Sequence, residues 1–128
     1  MAFTDLLLRP AGPEDAAAVT QVYLRSRRAA VPAMPPSIHP PDDVARQVAG
    51  RVAAGRVWVA EEDGVVVAFM DLSEGWLDSR YVLPSRAREG VGGALLDLAK
   101  TLMPGGFGLW VFTSNSRARR FYRRHGLV

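Results

Sequence analysis

A chain of 128 residues, 48% of them hydrophobic and 23% charged, carries enough apolar mass for one core and too little length for two, and its balance excludes disorder and fibrous classes. The absence of cysteine excludes disulfides, cysteine-ligated zinc and a thiol nucleophile, so any sulfur chemistry must arrive with a ligand. The net charge of +3 rests on arginine, with Lys100 the single lysine; arginine suits phosphate oxygens, but a GC-rich genome yields the same composition, so only arginines at particular positions carry information.

In chain order, β-forming runs occur at Phe3 to Arg9, Arg56 to Glu61, Val65 to Ser73, Trp76 to Leu83 and Phe107 to Thr113. Helical patterns fit Pro13 to Arg28, Pro41 to about Ala53, Val91 to Met103 and Ser116 to His125. Pro13 suits a first helical position, with Glu14 and Asp15 in the first turn, and Gly126 suits the residue past a C-cap. The Asp63-Gly64 step predicts a tight hairpin between the second and third strands. The proline-dense stretch from Val31 to Pro41 is an irregular connection over the sheet. The order β-α-α-β-β-β-α-β-α predicts one domain over residues 1–128, an α+β or three-layer α/β fold with helices flanking a mixed sheet. No apolar run is long enough to cross a bilayer, and Met1 to Asp5 lacks the start of a signal peptide, so a soluble, cytoplasmic protein is expected.

Two segments carry chemistry. After Pro84, a polar loop leads through Gly90-Val91-Gly92-Gly93 into a helix. Glycines at a helix entrance admit a ligand close to the backbone, where unpaired N–H groups and the positive helix end suit a pyrophosphate. Arg86 and Arg88 lie in the same loop. A Rossmann fingerprint fails, because Leu95 stands where glycine or alanine belongs and apolar residues around Trp110 replace the acidic one; a P-loop fails for want of Gly-Lys-Ser/Thr. Tight helix–strand packing is the other explanation for these glycines. The second segment runs from Gly108 to Gly126, and on a helix its Ala118, Phe121, Tyr122 and His125 share one face apart from most of the arginines.

Together these segments resemble the GNAT superfamily of N-acetyltransferases, whose members carry a strand, a proline, a loop of the type Gln/Arg-x-x-Gly-x-Gly/Ala with a helix, and a later Asn-x-x-Ala-x-x-Phe-Tyr-x-x-x-Gly. Here the second motif is complete as Asn115, Ala118, Phe121, Tyr122 and Gly126, and in the first Gly90 and Gly92 match. The family's Gln/Arg position falls on Ala87, and Glu89 puts a negative charge beside the loop. The family also continues past Gly126 through a hairpin, whereas this chain ends at Val128.

The resemblance implies a GNAT-like fold with a mostly antiparallel central sheet, and acetyl-CoA as cosubstrate for acetyl transfer to a primary amine of a small molecule or protein. It places the coenzyme phosphates over Arg86, Ala87, Arg88, Glu89, Gly90, Val91, Gly92 and Gly93, and the pantetheine along the backbone of Tyr81, Val82 and Leu83. It makes Asn115 and Phe121 coenzyme contacts and Tyr122 both a contact and the general acid. Helix capping and core packing are the structural explanations for Asn115 and Tyr122. Glu74 and Asp78 flank Trp76 as candidate bases or as solvated carboxylates, and His39 and His125 suggest no metal site. Alternative readings are a non-catalytic, regulatory acyl-CoA-binding domain and a nucleic-acid-binding module using Arg117 to Arg124; the aromatics do not alternate with the basic residues as a stacking platform requires. Without the terminal hairpin, an exposed sheet edge predicts a homodimer, unless the chain is a fragment of a longer protein.

Overall fold

The computed structural model describes residues 6–31, 39–86, 90–109 and 114–126. In chain order its elements are β1 (Leu6–Pro10), α1 (Ala16–Ala30), α2 (Pro41–Ala53), β2 (Val57–Glu62), β3 (Val65–Ser73), β4 (Trp76–Val82), α3 (Val91–Leu102), β5 (Gly108–Leu109) and α4 (Ser116–Arg124). The order matches the expectation. The beginning of the first predicted strand and the part of the last from Trp110 to Thr113 lie outside the described residues, as does most of the proline-rich connection.

Local chemistry sets several boundaries. Asp63 and Gly64 both adopt positive φ, 52° and 81°, so the two-residue turn between β2 and β3 twists with its strands. The predicted helix at Pro13 opens instead as a 3-10 turn, Pro13–Asp15, before α1 begins. Asp15 is the reason: its carboxylate accepts from Gly12 N–H at 2.8 Å and its own N–H donates to Gly12 O, also at 2.8 Å, tightening that turn. The same carboxylate takes two guanidinium hydrogen bonds from Arg9 of β1, which also reaches Glu61 of β2 at 2.8 Å. The Arg9 bonds hold the Asp15 carboxyl below its usual range, against the opposing effect of burial, with the Gly12 N–H assisting.

The five strands form one sheet in the order β1-β2-β3-β4-β5, antiparallel except for the parallel β4–β5 pair. Its two faces bury separate clusters. Val19 and Val22 of α1 and Val44, Val48 and Val52 of α2 pack on Val57, Val59 and Phe69. On the other face Val91, Leu95, Leu96 and Ala99 of α3, one stripe at helical spacing, pack on Ala60, Ala68, Met70 and Leu77. Full burial of Leu95 and Leu96 is worth about 1.5–3 kcal/mol each. The domain is therefore three layers, with α1 and α2 on one side and α3 and α4 on the other.

One irregularity positions the site. Asp71 pairs with Ser79 but Leu72 pairs with Leu77, so Asp78 is an extra residue on β4. Strand alternation would keep Leu77, Ser79 and Tyr81 on one face. The extra residue shifts the phase: Leu77 and Val82 join the α3 cluster, while Tyr81 joins the α1–α2 cluster.

Candidate functional site

The chain leaves β4 through the 3-10 turn Pro84–Arg86, whose Arg86 N–H donates to Leu83 O at 2.8 Å. It enters α3 at Gly90, which has φ 81° and, as glycine, offers no side chain to cap the helix. The first-turn N–H groups of Val91, Gly92 and Gly93 thus have no intrahelical acceptor, at the positive end of the helix. Arg86 Nε contacts Glu62 Oε1 at 2.6 Å, which ties this proposed phosphate ligand to the end of β2. Ala87, Arg88 and Glu89 lie outside the described residues.

Helix α4 lies against that entrance. Asn115 caps it, Oδ1 accepting from Ala118 N–H at 3.2 Å, which leaves its amide Nδ2 and a second lone pair of Oδ1 for further contacts. Phe121 and Tyr122 pack against the α3 cluster. The His125 ring lies at ordinary contact distance from where a Cβ of Gly93 would stand, and its carbonyl accepts from Lys100 Nζ at 2.6 Å. The end of α4 thus touches α3 both near its first turn, at Gly93, and in its last turn, at Lys100.

A residue that sequence reasoning missed joins the two segments. Arg80 of β4 donates from Nε to Tyr122 Oη at 3.2 Å, and its guanidinium carbon sits 4.3 Å from the Phe121 ring centre and 5.2 Å from that of Tyr122. Its Nη1 lies so near Gly92 that a Cβ there would stand under 3.0 Å away. No carboxylate pairs with Arg80 among the described residues. Only the bulge at Asp78 brings Arg80 to this face, and a register shift between distant strands leaves no mark in local alternation.

The backbone of β4 is partly committed. Leu83 N–H donates to Val67 O at 2.8 Å, and Val82 O accepts from Ser26 Oγ at 2.8 Å. By antiparallel alternation, Tyr81 directs its backbone groups to β3 with Leu83, while the N–H groups of Arg80 and Val82 face the edge where β5 enters. The described pairing along that edge involves Trp76 and Leu77. The Tyr81 side chain turns away to meet Tyr23 edge-on at 5.2 Å and Phe69 at 5.7 Å. Burial raises its phenol above the usual value, with the Arg27 hydrogen bond opposing.

Of the two candidate bases, Glu74 sits exposed in the turn between β3 and β4. Asp78, at the bulge, is held by Arg56 at 2.6 Å. Arg56 also reaches buried Asp71, which pairs with Arg51 of α2 as well, so Asp78 belongs to an ion cluster facing α2 while Tyr122 faces α3. Among the described residues no group of three or more His, Asp or Glu side chains can hold a metal ion, and no helix is long and apolar enough to cross a membrane.

Residues 53–126, more than half of the chain, match the acetyltransferase (GNAT) domain family. Over 76 residues the chain is 34% identical to the peptidyl-lysine N-acetyltransferase YiaC of Escherichia coli K12, covering 59% of this chain and 51% of that protein. The match thus spans about half the length of this curated relative. The fold superimposes on the PaiA N-acetyltransferase of Thermoplasma acidophilum in complex with coenzyme A, with TM-score 0.78 and 18% identity over 95% of this chain and 89% of that one. It also superimposes on YncA of Salmonella typhimurium, solved with acetyl-CoA, with TM-score 0.73 and 21% identity over 96% and 79% of the two chains. At these identities the two structures speak to the fold alone.

Proposed function

The chain belongs to the GNAT acetyltransferase family, and on that premise we propose that it transfers the acetyl group of acetyl-CoA to a primary amine by direct attack within a ternary complex. The observation that carries this reading is the meeting of the glycine entrance of α3, from Gly90 to Gly93, with Tyr122 of α4 beside the far end of β4. In this reading the N–H groups of Val91, Gly92 and Gly93 receive the pyrophosphate. The pantetheine lies along the β4 edge, where the Val82 N–H faces the thioester oxygen and stabilises the charge that develops on it.

The acceptor must attack as a neutral amine, and an alkylamine with pKa about 10.4 needs a base or desolvation to do so. We assign this step to Glu74 through a water molecule, since Asp78 is already engaged by Arg56. As the C–S bond breaks, Tyr122 donates its proton to the departing thiolate. For the acceptor we propose a lysine side chain of a protein, the class named for the YiaC relative.

Thiol release from acetyl-CoA, measured across lysine peptides, polyamines, aminoglycosides and small amines, tests the proposal. Saturable release with lysine peptides is expected, as is a fall in kcat of about 100-fold in Tyr122→Phe with little change in KM for acetyl-CoA. Absence of saturable acetyl-CoA binding by calorimetry sinks the reading. Binding without turnover on any amine would mark a non-catalytic acyl-CoA-binding domain.

A further inference from the structure

Resting on the assignment of Tyr122 as the general acid, we propose that Arg80 is its positioning residue. Its guanidinium is confined on three sides: the Phe121 ring at 4.3 Å, the Tyr122 ring at 5.2 Å, and Gly92, where the absence of a side chain makes room for Nη1. From that confined place Nε donates to Tyr122 Oη at 3.2 Å. A phenol oxygen that accepts from a guanidinium must aim its own hydrogen elsewhere, because arginine has no acceptor to offer. The bond therefore settles which way the Tyr122 O–H points and keeps its proton available for donation.

The charge matters as much as the direction. When acetyl transfer completes, the new N–C bond has formed and the C–S bond has broken with its electron pair on sulfur. The Tyr122 proton then moves to that sulfur to give the free thiol, and Oη is left negative beside a permanent cation. The proton lost from the acceptor nitrogen returns through solvent to restore Tyr122. The Arg80 guanidinium, within hydrogen-bond distance of that oxygen, stabilises the charge left on it. Phe121 thereby gains a second role, as the face on which the guanidinium rests.

The test is a kinetic cycle on purified protein with acetyl-CoA and its best amine. Arg80→Met, similar in length and apolar enough to lie between Phe121 and Gly92, is expected to lower kcat about tenfold while KM for acetyl-CoA changes less than about threefold. In Tyr122→Phe, which lacks the oxygen, adding Arg80→Met should cost nothing further in kcat, the non-additivity expected of groups acting as a unit. Arg80→Lys, which can still donate to Oη and carries the charge, should return kcat to within about threefold of wild type. Should Arg80→Met fail to fold by circular dichroism, Arg80→Leu, which also has neither donor nor charge, carries the same expectations.

An unchanged kcat in Arg80→Met overturns the inference. So does an additive double variant, and so does a loss confined to acetyl-CoA affinity, which would make Arg80 a coenzyme contact instead. A wild type that releases no thiol from acetyl-CoA with any amine defeats the functional reading itself and this inference with it. An active wild type whose rate ignores Arg80 defeats this inference alone.

Discussion

Replacing Gly92 with alanine separates stability from catalysis at one position. The added Cβ would stand under 3.0 Å from Arg80 Nη1, whereas ordinary contact begins at 3.4 Å, so the guanidinium must retreat. That retreat is more than about 0.4 Å, while the bond to Tyr122 at 3.2 Å has about 0.3 Å of slack before it leaves hydrogen-bonding range. Because the guanidinium is a rigid plane lying on Phe121, the displaced nitrogen carries Nε with it. Folding is affected little. Alanine gains about 1 kcal/mol over glycine inside a helix, and the lost charge-assisted bond and ring contact cost about 1–2 kcal/mol. The expected variant unfolds in urea within about 1 kcal/mol of wild type. Its kcat falls about tenfold, as in Arg80→Met, and by no further factor when Tyr122 is already phenylalanine. Titration with urea and steady-state thiol release measure the two sides independently. A Gly92→Ala protein with wild-type kcat and unchanged stability would refute the reasoning, since the Cβ would then have found room without disturbing Arg80.

Asp15→Asn should lower stability near neutral pH by about 1–3 kcal/mol, the usual worth of hydrogen bonds to a charged partner. Because the Asp15 carboxyl is held below its ordinary 3.8, its contribution is complete above that value and is lost as pH falls through the folded-state value. Urea midpoints of the two proteins should therefore converge below about pH 4; a gap that stays constant down to pH 2 would contradict the Arg9–Asp15 account. Asp71→Asn removes the buried partner of Arg51 and Arg56 and should cost about 3 kcal/mol in urea unfolding. A loss below about 0.5 kcal/mol would show that the two arginines are satisfied by water. Asn115→Ala should cost about 1 kcal/mol through the lost cap, and a silent substitution would mean that α4 is held by Phe121 packing and the Lys100 bond alone.

Features encoded within a few residues could be read directly from the chain. The Asp63-Gly64 step declares its turn through φ values that few other pairs adopt, and Pro84 followed by Gly90 marks the passage from strand to helix. The helical spacing of Phe121 and Tyr122 likewise anticipates the face they turn to α3. What could not be read depends on partners remote in sequence. Arg9 meets Glu61 across 52 positions, and that pairing, with the Asp15 turn, delays the start of α1. The ion pair of Asp78 could not be foreseen, because nothing nearby announces Arg56, 22 positions away. Arg80 was hidden for a similar reason, since unbroken alternation from Leu77 would assign it to the opposite face of the sheet.

The extra residue at Asp78 acts as a phase converter within a strand of seven residues. Upstream of it, the side chain that faces α3 is an odd-numbered core residue, Leu77; downstream, the even-numbered Arg80 takes that direction and Tyr81 is sent to the α1 layer. Deleting position 78 is consequently a different event from any substitution there. It would exchange the two faces of the following segment at once, burying a guanidinium against the valines of α1 and α2 and offering a phenol to Gly92. Insertions and deletions in β4 thus reassign the vocabulary of both sheet faces, whereas point changes alter only single words of it.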